Sequence, residues 1–242
     1  MDETASKPDA RPLYAQVRDI FLERIHSGTW GPGQRLPSET QLAAELDVSQ
    51  GTVRKALDTL AEASLVRRKQ GRGTFVIEHT SSDILFKFFQ IYDADGNRVL
   101  PDVGKTRFGV RKATGDIARS LSIEKGDDVL EISRVRTHKS QTFMAETVVL
   151  PLALFPGLMQ RETFPNTLYD MFQKEYGVTI SHVDEDLTAI TANKRLAAEL
   201  NVDVGAPILK IDRIAYDIEQ IPIERRISYC TSEELHYRAK LR

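Results

Sequence analysis

The chain has a single cysteine, Cys230, among its 242 residues. One thiol cannot build an intrachain disulfide framework or a metal site of several cysteines, so the sequence excludes a small disulfide-stabilised secreted domain. The chain also has no apolar run near the length of a membrane span, and residues 1–10 are polar and acidic, unlike a signal peptide. We therefore expect a cytoplasmic protein with no membrane partner.

Enzyme motifs are equally scarce. The sequence contains no Gly-rich phosphate loop, no nucleophile elbow and no HExxH motif. Its five histidines are scattered and include no pair at metal-ligand spacing. We therefore predict no catalytic residue, no metal and no cofactor. The net charge of −2 does not demand a nucleic-acid partner, and the length suits two ordinary domains.

The stretch Ser38–Leu57 is the feature around which the chain is organised. Ser38 is an N-cap signal, and Asp47 suits a sharp turn between helices because Asp tolerates the left-handed conformation. Ser49 then caps a second helix, Gln50–Glu62. The exposed side of that helix begins with short polar and basic residues, namely Gln50, Gly51, Thr52, Arg54 and Lys55. Such a helix can contact base edges and phosphates in a major groove, although an ordinary amphipathic helical pair has the same pattern.

A β-hairpin is predicted directly after this helix. Leu65–Lys69 and Gly73–Ile77 read as strands, and Gly71 in the turn is free to take a positive φ. Arg72 at the tip suits close approach to a sugar–phosphate backbone. Six basic residues stand between positions 54 and 72 against two acidic ones, which predicts a local basic patch on a nearly neutral domain. A solvated run of charges is the alternative, but it does not explain the hairpin.

Residues 12–77 resemble the winged helix-turn-helix of the GntR family of bacterial transcription regulators. The matching runs are Pro12-Leu13-Tyr14, Gly28–Leu36 with Pro37-Ser38-Glu39, Val48-Ser49, Thr52–Leu57 and Gly71–Val76. The resemblance implies DNA contacts from Arg35, Ser49, Thr52, Arg54 and Gly71. With the exposed positions added, the candidate DNA-binding residues are Arg35, Ser38, Ser49, Gln50, Thr52, Arg54, Lys55, Gly71 and Arg72. Gln50 replaces an Arg that is usual in the family, which removes a phosphate-attracting charge and permits bidentate pairing with adenine.

The second domain reads as strands and helices that alternate. We place the winged domain at residues 11–78, a linker at 79–83 and the second domain at 84–242. Strands are expected over Ile84–Tyr92, Thr106–Lys112, Asp128–Thr137, Thr142–Leu150, Val183–Ala192, Ile208–Tyr216 and Pro222–Tyr229. Helices are expected over Asp116–Ser122, Asn166–Tyr176 and Asn193–Leu200, with Asn166 and Asn193 as caps. The stretch Ala118–Arg136 is repeated as Ala197–Ala215, which predicts one antiparallel sheet with pseudo-symmetry.

Strand alternation locates a candidate pocket in this sheet. Arg134 and Arg136 share a face with apolar residues of the strand Asp128–Thr137, where unpaired charges are costly. Glu146 lies on the partner strand, Thr142–Leu150, and Glu224 lies on the last hairpin strand, Pro222–Tyr229. The four side chains form either a partly buried site for an anionic ligand group or a structural Arg–Glu network at a sheet edge.

Residues 84–230 resemble the UTRA effector domain of the HutC branch of the GntR family, which has a chorismate-lyase-like fold. The shared features are Arg134-x-Arg136, Glu146 ahead of Leu150-Pro151, Thr167-Leu168-Tyr169, Tyr176-Gly177 and Pro222-Ile223-Glu224. The resemblance implies that Arg134, Arg136, Glu146 and Glu224 line a site for a small metabolite. The candidate effector-binding residues are Arg134, Arg136, Glu146, Thr167, Glu224 and Ser228. Cys230 departs from a frequent Tyr, so the resemblance does not identify the metabolite.

The expected fold is α+β, with an N-terminal winged helix-turn-helix domain and a C-terminal antiparallel-sheet α/β effector domain. We expect a homodimeric repressor, associated with the nucleoid, that reads a pseudo-palindromic double-stranded DNA operator and is controlled by a small anionic metabolite. The alternative is a chorismate-lyase-like enzyme domain fused to a DNA-binding module, but fold alone does not confer activity. A fusion to a pyridoxal-phosphate enzyme would need a much longer chain.

Overall fold

The protein is described by a computed structural model that covers residues 11–31, 33–63, 65–77 and 88–239. The chain divides into two compact units, Met1–His79 and Thr80–Arg242. The domain bounds 11–78 and 84–242 stay predictions, and the predicted linker 79–83 lies outside the described residues. Within the described ranges, no helix is long and apolar enough to cross a membrane.

The described part of the first unit packs helices against a β-hairpin. Its elements are α1 (Leu13–His26), α2 (Glu39–Glu45), α3 (Gln50–Glu62), β1 (Val66–Lys69) and β2 (Gly73–Val76). β1 and β2 pair antiparallel, with Val66 opposite Val76. Trp30 packs into this unit, since it is buried and its ring centre lies 5.2 Å from that of Phe21. The predicted winged helix-turn-helix is therefore confirmed.

Local capping determines where α2 and α3 begin. Ser38 Oγ accepts a hydrogen bond from the Gln41 backbone N at 3.2 Å, and Gln41 Oε1 accepts one from the Ser38 backbone N at 2.9 Å. Asp47 has a φ of 51° in the turn, and Ser49 Oγ accepts a hydrogen bond from the Thr52 backbone N at 3.1 Å. The predicted caps and turn residue are confirmed, because each depends on partners a few residues away.

An antiparallel sheet of six strands forms the centre of the second unit. Its strands lie in the order β4 (Asp102–Lys112), β5 (Asp128–His138), β6 (Gln141–Pro151), β9 (Pro222–Thr231), β8 (Pro207–Asp217) and β7 (Ile180–Thr191). The helices are α4 (Gly115–Leu121), α5 (Leu168–Tyr176) and α6 (Lys194–Leu200), and two short 3₁₀ turns, Leu152–Leu154 and Leu158–Gln160, follow β6. Two further strands, β3 (Ile91–Asp93) and β10 (Leu235–Tyr237), pair only with each other.

The sheet has the pseudo-two-fold symmetry that the sequence repeat predicts. The series β4-α4-β5-β6 and β7-α6-β8-β9 follow the same plan, and the central pair β6–β9 places Thr147 opposite Ile227. Leu121 of α4 and Leu200 of α6 are buried against one face of the sheet. Since side chains alternate along a strand, the apolar cluster around α5 lies on the other face.

Besides shifted bounds, such as the starts of β4 at Asp102 and of β7 at Ile180, three features differ from the expectations. No strand occupies residues 88–90, and β3 begins at Ile91; residues 84–87 of the expected strand lie outside the described part of the chain. Thr167, not Asn166, precedes α5, because the Asn166 side chain is engaged by tertiary contacts instead. β10 was not predicted, since three residues are too few to show an alternating pattern.

Candidate functional site

The first candidate site is the exposed side of α3 together with the β1–β2 hairpin. Gln50, Arg54 and Lys55 are exposed, whereas the opposite side of α3 is buried. Thr52 is half-buried, and its Oγ1 lies 2.8 Å from Ser49 Oγ. The α3 surface therefore presents short polar and basic side chains to a partner, which suits a DNA groove.

Glu39 of α2 holds two of the basic side chains. Its carboxylate accepts a hydrogen bond from Arg54 Nε at 2.9 Å and lies 3.1 Å from Arg68, which also pairs with Asp58. The hydrogen bond that Arg54 donates to Glu39 raises the pKa of the Arg54 guanidinium. The basic patch expected from the sequence is thus partly neutralised within the protein. Because the Arg54 side chain is 58% exposed, it can exchange Glu39 for a phosphate or base edge.

Two other candidates on the helices already have partners. The Lys55 ammonium lies 4.0 Å from the centre of the Tyr14 ring, in a cation–π contact. Ser38 is exposed, but its hydroxyl and backbone N take part in the cap with Gln41. These contacts position both residues without withdrawing them from the surface.

The tip of the β1–β2 hairpin carries an exposed arginine, Arg72. Gly71 has a φ of 69°, and a Cβ there would meet no atom within 4 Å. The side chain of Arg72 is exposed and makes no hydrogen bond or ion pair with the described residues. Arg35 lies against the base of the hairpin, since a Cβ on Gly73 would stand 3.0 Å from Arg35 Nε. The tip suits close approach to a phosphate backbone.

The second candidate site is a cluster of buried charged side chains on the sheet face that α5 covers. It contains the guanidiniums of Arg134, Arg136 and Arg226 and the carboxylates of Glu146 and Glu224, all buried. Strand pairing brings them together, because β5 sets Arg134 opposite Glu146 and β9 sets Ser228 opposite Glu146. We call these five charged residues the arginine–glutamate cluster.

Glu146 is the centre of the arginine–glutamate cluster. Its Oε1 accepts a hydrogen bond from Arg134 Nε and lies 3.0 Å from Arg136 Nε, which is close enough for an ion pair but not aligned as a hydrogen bond. Its Oε2 accepts a hydrogen bond from Arg226 Nη1 at 3.3 Å. Burial disfavours the charged carboxylate, but the three guanidiniums outweigh burial and hold the pKa of Glu146 well below its usual range.

Glu224 pairs with one guanidinium, whereas Glu146 contacts three. Arg226 donates to both of its carboxylate oxygens, from Nε at 2.8 Å and from Nη2 at 2.9 Å. Tyr169 Oη, from α5, donates to Glu224 Oε1 at 3.0 Å. This bidentate pair fixes Arg226 in the plane of the carboxylate.

The arginine–glutamate cluster carries one more cation than anion. Arg134 Nη2 is buried and has no hydrogen-bond partner among the described residues. Arg136 donates to the side-chain and backbone oxygens of Asn166. Burial lowers the pKa of Arg136 to about 10, with Glu146 opposing that shift, so the group stays charged at neutral pH. A buried guanidinium without a full set of acceptors is the feature that an anionic ligand would complete.

A small cavity adjoins the arginine–glutamate cluster. It has a volume of about 30 Å³ and is lined by residues that include Arg136, Asn166, Thr167, Tyr169 and Arg226. A space of this size holds about one water molecule, so a metabolite needs local rearrangement to enter. Among the described residues, no group of three His, Cys, Asp or Glu side chains is placed to hold a metal ion.

Besides Arg226 of the cluster, three residues around this site were not among the predicted site residues. Arg213 pairs with Glu185 at 2.8 Å, and it stands on β8 where the repeat places Arg134 on β5, so the repeat could have revealed it. Asn166 and Tyr169 reach the site from the segment that leads into α5. No local sequence pattern indicates those two contacts.

Two known families match parts of the chain. Residues 13–76 match the bacterial regulatory proteins of the gntR family, and residues 101–236 match the UTRA domain. The first match covers the described helices and hairpin of unit one, and the second covers the six-stranded sheet. Both sites described above lie within the matched ranges.

Similar whole-length proteins are named as regulators. The chain is 28% identical over 228 residues to the HTH-type transcriptional regulator YurK of Bacillus subtilis, covering 93% of this chain and 91% of that protein. It is 29% identical over 201 residues to the mannosyl-D-glycerate transport/metabolism system repressor MngR of Escherichia coli, covering 83% of each. These names describe regulators and not enzymes, which rules against the alternative of a lyase domain.

Solved structures have the same fold. The ligand-binding domain of a GntR-family transcriptional regulator from Bordetella bronchiseptica matches 65% of this chain and 99% of that chain, with a TM-score of 0.57 at 28% identity. PhnF from Mycobacterium smegmatis matches 96% of this chain and 99% of that chain, with a TM-score of 0.55 at 22% identity. The second likeness concerns the fold alone.

Proposed function

The chain belongs to the GntR family of bacterial regulators with a UTRA domain, and from that premise we propose that it is a dimeric repressor controlled by a small anionic metabolite. A GntR-type DNA-binding domain joined to a UTRA effector domain makes it a transcription regulator under metabolite control. What we add is the charge of the effector, the residues that bind it, the oligomeric state and the direction of regulation. The proposal also places the protein in the cytoplasm, on the nucleoid.

The observation that supports an anionic effector is the surplus guanidinium of the arginine–glutamate cluster. Among the described residues, Glu146 and Glu224 are the carboxylates that pair with Arg134, Arg136 and Arg226, and Arg134 Nη2 lacks an acceptor there. An anionic ligand group would supply the missing acceptor and balance the charge. Thr167, at the adjoining cavity, and Ser228, opposite Glu146, offer hydroxyls to the rest of the ligand.

Ligand entry requires the residues before α5 to move. The carbonyl of Pro165 accepts a hydrogen bond from Arg134 Nη1 at 3.2 Å, and Asn166 is bound by Arg136. These contacts occupy donors that an anion would use, and the cavity beside them holds only about one water. The ligand therefore replaces residues 165–166 as the hydrogen-bond partner of Arg134 and Arg136. This replacement couples ligand binding to the position of α5.

The DNA-binding side of the proposal follows from symmetry. Two winged domains on one dimer read two half-sites of a pseudo-palindromic operator, with α3 in the major groove and Arg72 on the phosphate backbone. The candidate contacts are Arg35, Ser38, Ser49, Gln50, Thr52, Arg54, Lys55, Gly71 and Arg72. The repressor MngR, which is similar over most of its length, supports the negative sign of regulation.

Arg134→Ala should remove the effector response and keep DNA binding. The substitution leaves two guanidiniums against two carboxylates, so the cluster stays neutral while the free donor for the ligand is lost. Small anionic metabolites that raise the unfolding midpoint of the wild-type protein should shift that of Arg134→Ala by less than half as much. The measurement is a thermal-shift screen with sugar phosphates and carboxylic acids.

Arg111→Ala is the matched control, because Arg111 also pairs with a glutamate of the sheet, Glu131, but is one-third exposed. This variant should respond to ligand like the wild type. An Arg134→Ala protein with an unchanged ligand shift would show that the cluster is a structural network only.

Saturating effector should change the preferred distance between operator half-sites. In the proposed mechanism the ligand favours a dimer geometry in which the two α3 helices no longer match their half-sites. Binding to duplexes with half-sites moved apart one base pair at a time, with and without effector, measures the preference. A monomer in sedimentation experiments, or equal affinity for every spacing under both conditions, would contradict the dimer mechanism.

A further inference from the structure

The reverse face of the sheet, opposite the arginine–glutamate cluster, carries a larger cavity. Its volume is about 330 Å³, within the range of ligand pockets, and it lies between β4, β5, β6 and α6. Its lining includes four basic residues, two acidic residues and three hydroxyl-bearing residues, which are Lys105, Arg107, Arg134, Arg195, Glu146, Glu199, Ser133, Thr147 and Tyr229. Because side chains alternate along β5, Ser133 faces this cavity while Arg134 faces the cluster.

The basic side chains of this cavity are poorly neutralised. Lys105 and Arg107 are exposed, and no ion pair joins either to another described residue. Arg195 has one acidic neighbour, Glu199, at 3.4 Å on the same helix. Glu146 also lines the cavity but is paired with Arg134 and Arg136 of the cluster. Among the described residues, Lys105, Arg107 and Arg195 thus have one ion-pair partner, Glu199, which is an arrangement that attracts anions.

The pseudo-symmetric position in the other half of the sheet is filled by the protein itself. Arg225 of β9 extends there and binds Asp212 with both Nε and Nη2, each at 3.0 Å, and it also pairs with Asp116 of α4. The two aspartates raise the pKa of Arg225 by their hydrogen bonds. This half therefore holds a guanidinium between two carboxylates.

The equivalent positions around the cavity differ from these in charge. Strand register and the repeat align the residues around the cavity with those around Arg225. The cavity residue is named first in each pair: Arg107 with Asp186, Ser133 with Asp212, Ala145 with Arg225, and Arg195 of α6 with Asp116 of α4. Arg225 of the second half is thus replaced in the first half by Ala145, whose side chain is only a methyl group. The carboxylates around Arg225 are replaced by cations and a hydroxyl.

From this inversion we propose that the reverse-face cavity is a second anion site, which binds a small phosphate- or carboxylate-bearing molecule between Arg107, Arg195 and Lys105. The bound anion takes the place that Arg225 has in the other half, with charges exchanged. The hydroxyls of Ser133 and Thr147 on the cavity floor donate to the same oxygens. The site lies on the face of the sheet opposite the arginine–glutamate cluster, and the two sites share Arg134 and Glu146 at their border. The regulator therefore senses two ligands, one on each face of the sheet.

Ser133→Asp tests this second site in the full-length protein. Ser133 lies directly opposite Arg107 in the β4–β5 pair, so the new carboxylate neutralises the cavity as Asp212 does in the other half. Affinity for pyrophosphate, measured by calorimetry, should fall about tenfold or more. In buffer free of polyvalent anions, the unfolding midpoint of Ser133→Asp should equal or exceed that of the wild type. Arg107→Gln, at an exposed position, should also weaken pyrophosphate binding.

Thr188→Asp is the matched control. It makes the same kind of change on edge strand β7, where the exposed Thr188 lies opposite Lys210 and outside the cavity, and it should bind pyrophosphate like the wild type. Citrate in place of pyrophosphate distinguishes a carboxylate site from a phosphate site. Absence of wild-type binding to both anions, equal pyrophosphate affinity in Ser133→Asp, or strong destabilisation by that change would overturn the proposal.

Discussion

Glu146→Ala lowers the free energy of unfolding by about 3–5 kcal/mol, because it leaves buried guanidiniums without their shared counter-charge. Arg134, Arg136 and Arg226 all contact this carboxylate, and only Glu224 would remain to balance them. Removing one partner from a buried charged group costs far more than the net value of the pair, since the remaining charges keep their desolvation cost. Urea unfolding of the full-length protein, followed by circular dichroism, measures the change.

Glu131→Ala provides the comparison for this prediction. Glu131 also pairs with an arginine of the same sheet, Arg111, but both side chains are about one-third exposed, and the expected loss is about 1 kcal/mol or less. Similar losses in the two variants would mean that water reaches the arginine–glutamate cluster and that its charges are not truly buried. In that case the surplus guanidinium would no longer argue for an anionic effector.

Arg54→Ala weakens operator binding roughly 10- to 100-fold while the unfolding midpoint stays close to that of the wild type. Arg54 is exposed in the second turn of α3, and its protein partner is the surface carboxylate of Glu39. The side chain contributes little packing, so its loss acts on the DNA complex and not on the fold. The measurement is the affinity for an operator selected from random duplexes, at one fixed salt concentration, with unfolding followed in parallel.

Arg119→Ala is the corresponding control, because Arg119 is an exposed helical arginine near an aspartate, Asp116, but belongs to the second unit. It removes the same charge and should leave operator affinity within about twofold of the wild type, as expected for a charge outside the candidate DNA-binding residues. A large loss of stability in Arg54→Ala would assign Arg54 a packing role. Unchanged operator affinity would remove it from the DNA-binding residues.

The winged domain was predictable from sequence because its signals are local. Ser38 and Ser49 cap helices through backbone groups within three residues, and Asp47 makes its turn by its own left-handed φ. The one local prediction of this kind that is wrong, Asn166 as a cap, concerns a side chain that Arg136 and the Pro101 carbonyl engage from distant parts of the chain. Competition from tertiary partners is invisible in a window of a few residues.

The sequence by itself determined the pseudo-symmetric antiparallel sheet, since the repeat and strand alternation state which side chains share a face. The sequence also placed Arg134, Arg136, Glu146 and Glu224 in one candidate site, but only the tertiary structure decided how these charges pair and that Arg226 joins them. The pairing of β6 with β9 places Glu146 among three guanidiniums. On the other face of the sheet, Arg225 binds Asp212 in one half, and a cavity lies at the equivalent place in the other half. The physical reason is register: a shift of one residue between strands moves every side chain to the other face, and no local pattern records that choice.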